Sequence, residues 1–508
     1  MERRSFLLGA PLFLRAESGR PRLTQGVQTG DPAGDSVLVW TRADRPSRMW
    51  VEVALDEKFK QVIQRVRGPH LLPETDYTGR HVVSGLPAGA DVHYRVWAED
   101  LREGRALSEA VSGHTRTAPG AGRNVRFLWS GDMVGQGYGI NPDLGGITIF
   151  REMMRREPDF FLHSGDTIYA DGPLAGEWTT PSGVKWRNVT TEAKRKVAET
   201  LGEFRGAYQY NLMDEHVRRF NAQVAQVWQW DDHEVTNNWS PGKDLRGDGK
   251  YTEKSIDLLA ARGGQAFREY APMRVSGVES ERVYRKLSYG PLVDVFLLDM
   301  RSYRAANSYN RQEKEGPETE FLGAEQRAWL KRELKASRAD WKVMASDMPI
   351  GLIVGDGKDG QGRGMFEAVA NGEGPALGRE LEIADLLRFM KREKIRNTVW
   401  LTADVHYTAA HYYDPAKAVF TEFDGFYEFV SGPLNAGTFG PGVTDGTFGI
   451  EVLYANAPER GKFNLSPAEG KQFFGEVEVD AKTKALTVTL RDMKGASLYA
   501  KKLERARG

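Results

Sequence analysis

The chain has 508 residues, with 70 lysines and arginines against 70 aspartates and glutamates. This neutral balance argues against a nucleic-acid-binding patch or an anionic membrane surface as partner. It contains no cysteine, which excludes disulfides, zinc thiolates, iron–sulfur clusters and thiol nucleophiles, and with nine histidines any metal site must lean on carboxylates.

Met1-Glu2-Arg3-Arg4-Ser5-Phe6-Leu7-Leu8-Gly9-Ala10 sets adjacent arginines before a short apolar run. That pattern reads as a twin-arginine-type signal peptide over residues 1–20. It implies the twin-arginine export machinery as a partner and a periplasmic, secreted or cell-surface location. The run is too short to cross a bilayer, and no later stretch is apolar enough, so no membrane span is expected in the mature form.

Residues 21–118 alternate short strand patterns, such as Ser36-Val37-Leu38-Val39-Trp40-Thr41 and Val92-His93-Tyr94-Arg95-Val96-Trp97, with turn residues at Gly30-Asp31-Pro32 and Leu86-Pro87-Ala88-Gly89. This resembles a small all-β immunoglobulin- or fibronectin-like domain. His70, His81, His93 and His114 lie here without an acidic cluster and read as surface or packing residues. Residues 117–122 make a linker.

From residue 123 to 508 strands alternate with helices, an α/β pattern. Apolar spacing predicts helices over 147–157, 324–336 and 381–393. Residues 172–220 form an insertion of amphipathic helical character, whose Trp178, Trp186, Tyr208 and Tyr210 read as packing rather than cleft lining. The glycine-rich run 355–364 predicts a mobile surface loop and lacks the Gly-Lys-Ser/Thr of a phosphate loop. Gly135-Gln136-Gly137-Tyr138-Gly139 has the wrong spacing for a dinucleotide fingerprint, and no Gly-x-Ser-x-Gly elbow occurs. Residues 475–490 read as a hairpin closing a sheet.

The apolar runs of this region repeatedly end at carboxylates. They stop at Asp132, at Asp166 (with Tyr169 and Asp171 following), at Asp231-Asp232-His233-Glu234, at Asp299, at Asp347, and at Asp404-Val405-His406. Ligands of layered α/β folds gather at the carboxyl ends of strands. Alternate residues of an extended chain share a face, so Asp404 and His406 can address one point. Carboxylates crowded there raise one another's pKa and cannot all ionise without cations. The pattern predicts a metal centre.

Ser130-Gly131-Asp132, His163-Ser164-Gly165-Asp166 with Tyr169, Trp230-Asp231-Asp232-His233-Glu234 with Asn237-Asn238, and Thr402-Ala403-Asp404-Val405-His406, in that order, resemble the PhoD family of alkaline phosphatases and phosphodiesterases within the calcineurin-like metallophosphoesterases. The resemblance implies a two-layered mixed β-sandwich flanked by helices (the metallophosphoesterase fold) and a centre, binuclear or larger, of Fe3+ and Ca2+. Carried over by position, Asp132 is the first iron-site ligand, Asp166 the bridging carboxylate, Tyr169 a phenolate on iron, Asp232 a second-site ligand, and Asp404 and His406 ligands to calcium and iron. His233 is the histidine facing the scissile phosphate, and with Asp166 it is the expected catalytic pair. Some members place a cysteine where this chain has Asp132; a carboxylate is harder and leaves the metal at that site open.

The chemistry agrees with these roles. Two cations clamp the attacking and leaving oxygens of a phosphoryl transfer and acidify a bridging hydroxide for in-line attack. His233 protonates the leaving alkoxide or stabilises its charge, with Glu234 expected to orient it. Asp299, Asp347 and His411 receive no ligand role. The leading expectation is an exported metal-dependent alkaline phosphatase for phosphomonoesters, with phosphodiesters as a second substrate class. The alternatives are a phospholipase D-like phosphodiesterase for phospholipid or teichoic-acid-like polymers, and a non-catalytic calcium-binding surface protein. His233 and Tyr169 weigh against the last, because calcium prefers oxygen ligands and has little use for imidazole.

Overall fold

A computed structural model describes residues 19–506; the expected signal peptide falls almost wholly outside them. In the region after residue 123, every other residue of the central strands enters a core between two sheets. Phe127, Trp129, Phe160, Leu162 and Val227 project from one sheet, and Val293, Val295, Leu297, Val343, Ala345, Val399 and Leu401 from the other. The intervening residues face outward into helices: Leu128 and Phe161 on one side, Phe296, Met344 and Trp400 on the other. Strands buried on both faces read as near-continuous apolar runs, as parallel sheets between helical layers do.

The first sheet has nine strands, ordered Ser497–Leu503, Leu486–Asp492, Phe473–Val479, Val125–Ser130, Phe160–Ser164, Ala225–Gln229, Val27–Gly30, Ser36–Arg42 and Thr78–Ser84. The second has seven, ordered Arg285–Tyr289, Val293–Leu297, Trp341–Ala345, Thr398–Thr402, Phe426–Val430, Thr408–Tyr413 and Ile450–Asn456. Val125–Ser130, Phe160–Ser164 and Ala225–Gln229 run parallel, as do Val293–Leu297, Trp341–Ala345 and Thr398–Thr402. Their carboxyl ends therefore lie at common edges. Gln229 ties the two sheets there, donating to the carbonyls of Leu298 and Ala345 at 2.9 Å each.

The N-terminal strands share this architecture. A four-stranded sheet of Val62–Leu71, Ser47–Ala54, Asp91–Asp100 and Val111–Arg116 packs Met49, Val51, Val53, Tyr94 and Val96 against Val27, Val37 and Val39. The strands carrying Val27, Val37 and Val39 belong to the nine-stranded sheet, which they join through the single pairing of Gly30 with Gln226. Tyr94 fastens the two regions again, its hydroxyl donating to the Ala222 carbonyl at 3.0 Å.

Helices fall near the predicted places, at Ile149–Met154, Ala324–Ala336 and Glu380–Arg392. The first is shorter than 147–157 because Pro158 disfavours helical backbone at Glu157, which turns to a φ of 51°. The insertion holds Leu201–Asn211 and Glu215–Gln223, with Trp186, Tyr208 and Tyr210 buried. Ile256–Tyr270 is a helix that the sequence reading did not anticipate. Its Gly263-Gly264 pair argues against helix, but a Cβ at Gly263 would lie 2.7 Å from the Glu234 carbonyl. Glycine there lets the helix lie directly on the turn that carries His233. Residues 355–364 are not a free loop: Gly355–Lys358 pairs with Gly364–Phe366, and Asp356 accepts hydrogen bonds from Asn238 at 2.9 Å and Asn307 at 2.8 Å. Among the described residues no helix is long and apolar enough to cross a membrane.

Candidate metal centre

Three strands of the common edge, Val125–Ser130, Phe160–Ser164 and Thr398–Thr402, deliver their ligands through a left-handed turn. Asp132, Asp166, Asp404 and His406 have φ values of 60°, 51°, 64° and 59°. This left-handed backbone is tolerated best by Asp and Asn and costs a histidine more, so the turns hold a strained arrangement that favours function over local comfort. The structure brings together all the sequence-predicted ligands. Ligand atoms of Asp132, Asp166 and His406 lie within 4.8 Å of one another, as do those of Asp166, Asp232 and His233, and those of Asp231, Asp232 and Asp404. Asp166 belongs to the first two sets, and Asp232 to the second and third.

Asp132 is fully buried, and neither carboxylate oxygen receives a hydrogen bond of ordinary geometry, though the Asp404 amide leans on it. Burial pushes its pKa up to about 8. Its surroundings are shaped to leave it bare, since a Cβ at Gly432 would stand 2.2 Å from Oδ2. A buried carboxylate without donors is costly unless a cation meets it. Asp166 accepts one bond, from the His233 amide at 3.1 Å, and burial drives its pKa well above the usual range. Burial works against Asp232 too, but the His233 and Arg301 charges outweigh it and hold its pKa low. Its Oδ2 accepts the Asn238 amide, and its Oδ1 has no hydrogen bond but lies 4.0 Å from Arg301 Nη2.

His406 has a defined tautomer. Nδ1 lies 2.5 Å from the Gly437 carbonyl, which can only accept, so the proton sits on Nδ1 and Nε2 keeps its lone pair. Nε2 accepts from the Tyr169 hydroxyl at 2.9 Å and stands 3.8 Å from Asp132 Oδ1. Burial lowers its pKa to about 4. A neutral imidazole with its free nitrogen turned into a carboxylate cluster is the donor set a metal requires. Burial and the Asp166 and Asp132 charges raise Tyr169 well above a phenol's ordinary pKa, so only a strong Lewis acid would ionise it.

His233 is the counterpart. Its Nδ1–H donates to Asp171 Oδ1 at 2.6 Å, and Asp171 is fixed by the Asn237 amide at 2.9 Å. Burial alone would discharge this imidazole, but Asp171, Asp232 and Asp166 outweigh it and raise its pKa well above the usual range. Nε2 looks into the cluster, 4.0 Å from Asp232 Oδ2, and the ring lies 4.1 Å from that of Tyr169.

One expectation changes here. Glu234 does not orient His233; it accepts the amides of Asp166, Thr167 and Asp231 at 3.2, 2.6 and 2.8 Å, pinning the ligand turns to one another. The partner of His233 is Asp171. Asp299, which has no ligand role, braces the next turn, accepting the amides of Arg301 and Ser302 and the Trp230 indole. Asp347 faces Arg301 at 3.1 Å, and His411 lies away from the cluster, paired with Glu428 at 2.9 Å. Arg301, entirely buried beside Asp231, Asp347 and Glu367, escaped the sequence reading altogether. Its place after Asp299 at a strand end was the only signal.

Fold and site define a class: a helix-flanked, two-sheet sandwich with a candidate metal centre where the strands of both sheets end. The chain belongs to the PhoD-like phosphatase family, whose sequence model matches residues 127–490, while the PhoD-like phosphatase N-terminal domain matches residues 9–119. Alkaline phosphatase D of Bacillus subtilis (strain 168) is 29% identical over 405 residues, covering 75% of this chain and 64% of that protein. The match thus spans less than two thirds of that relative's length. A solved structure of PhoD superposes with a TM-score of 0.71 at 22% identity, over 96% of this chain and 91% of the other. Purple acid phosphatase PPD1 from yellow lupin seeds superposes with a TM-score of 0.55 at 14% identity, over 96% and 75% of the two chains. These likenesses establish a shared fold.

Proposed function

We propose that the chain is a metal-dependent hydrolase of phosphoric esters, an alkaline phosphatase acting on phosphomonoesters and also on phosphodiesters. The observation that carries this reading is Asp132, a fully buried carboxylate with no hydrogen bond of ordinary geometry on either oxygen and with Oδ1 3.8 Å from His406 Nε2. Family membership supplies the phosphate ester as substrate class. Asp132, Asp166, Tyr169 and His406 would hold one cation, with Fe3+ the ion best suited to a phenolate. Asp166, Asp232 and Asp404, all oxygen donors, suit Ca2+. Such a pair supplies charge neutralisation and an acidified water as nucleophile.

The chain's own residues do the rest. Asp166 links the two sets of ligands. His233, kept protonated by Asp171, directs Nε2–H into the site, where it stabilises negative charge at phosphorus and passes its proton to the leaving alkoxide. Asp171 accepts from Nδ1–H throughout and fixes the ring. In this proposal residues 1–20 are a leader for twin-arginine export to the cell exterior or periplasm, residues 21–118 the β-domain and residues 123–508 the catalytic domain. The test is hydrolysis of p-nitrophenyl phosphate and bis-p-nitrophenyl phosphate at alkaline pH, with elemental analysis of the same sample. Iron with calcium, and turnover lost on chelation, is the expected result; calcium alone with neither ester turned over would leave a binding protein.

A further inference from the structure

The glycine-rich hairpin of Gly355–Lys358 and Gly364–Phe366 carries two carboxylates with different partners. Asp359 closes the tip, accepting the Gln361 and Arg363 amides at 2.9 Å each. Asp356 reaches out of the hairpin. Gly355 pairs with Phe366 and Lys358 with Gly364, so Asp356 and Gly357 together stand opposite Met365 alone. Such a bulge re-aims a side chain, and Gly357 takes the extra turn at a φ of 74°. The redirected carboxylate meets residues far away in the chain. Its Oδ1 accepts Asn238 Nδ2 at 2.9 Å and its Oδ2 accepts Asn307 Nδ2 at 2.8 Å, with Lys243 Nζ 3.6 Å from Oδ1.

Asn238 is held at three points. Its side chain meets Asp356, its carbonyl accepts Asn307 Nδ2 at 3.1 Å and Lys243 Nζ at 3.3 Å, and its amide donates to Asp232 Oδ2. Its φ is 52°, a left-handed conformation that the surrounding contacts must hold in place. The amide of Asn237, one residue earlier, donates to Asp171 Oδ2 at 2.9 Å. This one turn therefore meets both a ligand carboxylate and the partner of His233. Resting on the function proposed above, we infer that Asp356 is a positioning residue for the calcium-site carboxylate Asp232: by clamping Asn238 it fixes the direction of that ligand, so that the glycine-rich hairpin governs how tightly calcium is held. Asp356 belongs to none of the ligand sets itself. Its charge makes it a strong acceptor for the Asn238 and Asn307 amides. Without it Asp232 keeps its charge but loses a fixed donor on Oδ2, so the expected loss of calcium affinity is graded and not total.

The test is a calcium titration of the full-length protein after calcium removal with EGTA, for wild type, Asp356→Ala and Asp356→Asn. The thermal midpoint is the readout, because an ion that binds the folded chain raises it, and iron content is measured on the same samples. Asp356→Ala is expected to need about 10- to 100-fold more calcium for the same rise. Its calcium-free midpoint should stay within about 2 °C of wild type, with iron content unchanged, and ester hydrolysis lost at low calcium should return at high calcium. If Asp356→Ala does not fold, Asp356→Asn decides by the same readout, since it keeps the shape and gives up one acceptor. A wild-type calcium response in the variant that folds overturns the inference. So does a weakened response that comes with an equal loss of iron and a fall in the calcium-free midpoint, which would make the hairpin a general support of the fold. Either result leaves the proposed hydrolase intact. A wild type with neither a calcium response nor ester hydrolysis would instead remove the functional reading on which the inference rests.

Discussion

His233 and His406 both lie against Tyr169, whose ring is tilted over the first at 4.1 Å and meets the second edge-on at 6.1 Å. Both are buried and both turn Nε2 into the carboxylate cluster, His406 toward Asp132 and His233 toward Asp232. What differs is the atom behind each ring. Behind His406 is a backbone carbonyl, which orients the ring but adds no charge, so burial wins and the imidazole stays neutral. Behind His233 is a carboxylate, which reverses the balance and keeps the ring protonated. A neutral imidazole binds a metal and a charged one donates a proton, so the second atom of contact sorts two identical side chains into two roles.

The largest expected effect is on the residue both halves share. Asp166→Asn removes the charge that links the two sets of ligands, and should abolish ester hydrolysis and lower metal content together. Full activity in that variant would disprove the assignment.

A more selective change lies behind His233. Asp171→Asn removes the group that most strongly raises the His233 pKa. We expect kcat to fall about 10- to 100-fold with metal content unchanged. The sign on pH is fixed: a lower His233 pKa moves the alkaline limb of the pH–rate profile to lower pH. A merely structural role for Asp171 would reduce the rate without moving that limb.

The smallest effect concerns stability without metal. Burial raises Asp132 from 3.8 to about 8. Between those values the folded, metal-free chain binds a proton that the unfolded chain does not, so stability falls as pH rises. The raised pKa of His233 acts in the same direction: its contribution is complete below the unfolded value of 6.5 and is lost as pH passes the folded value. Bound cations reverse the carboxylate term by favouring the ionised form. The gap in thermal midpoint between metal-loaded and chelated protein should therefore widen from about pH 5 to about pH 8; a gap that narrows contradicts this electrostatic account.

Much of this was legible in the sequence because it is written locally. Alternating apolar residues such as Phe127 and Trp129 mark a strand, and a carboxylate closing each such run marks the edge where ligands gather. What was not legible depends on contacts distant in the chain. The Gly30–Gln226 pairing that joins the N-terminal strands to the main sheet has no local signature. The glycines inside Ile256–Tyr270 weigh against helix until the Glu234 carbonyl beneath Gly263 is seen. Glu234 looked like the natural partner of its neighbour His233, yet its carboxylate turns back to the amides of Asp166, Thr167 and Asp231 while Asp171 reaches the ring. A lone arginine in sequence carries no hint of burial among acids, so Arg301 became visible only in three dimensions.

The most direct test of the division between the two histidines is the metal-to-protein ratio of His406→Ala and His233→Ala, purified and measured side by side with turnover of p-nitrophenyl phosphate. The account predicts that His406→Ala loses metal and activity together, whereas His233→Ala keeps its metal and loses about 10²- to 10⁴-fold in kcat. Equal metal loss in both, or loss from His233→Ala alone, would contradict it.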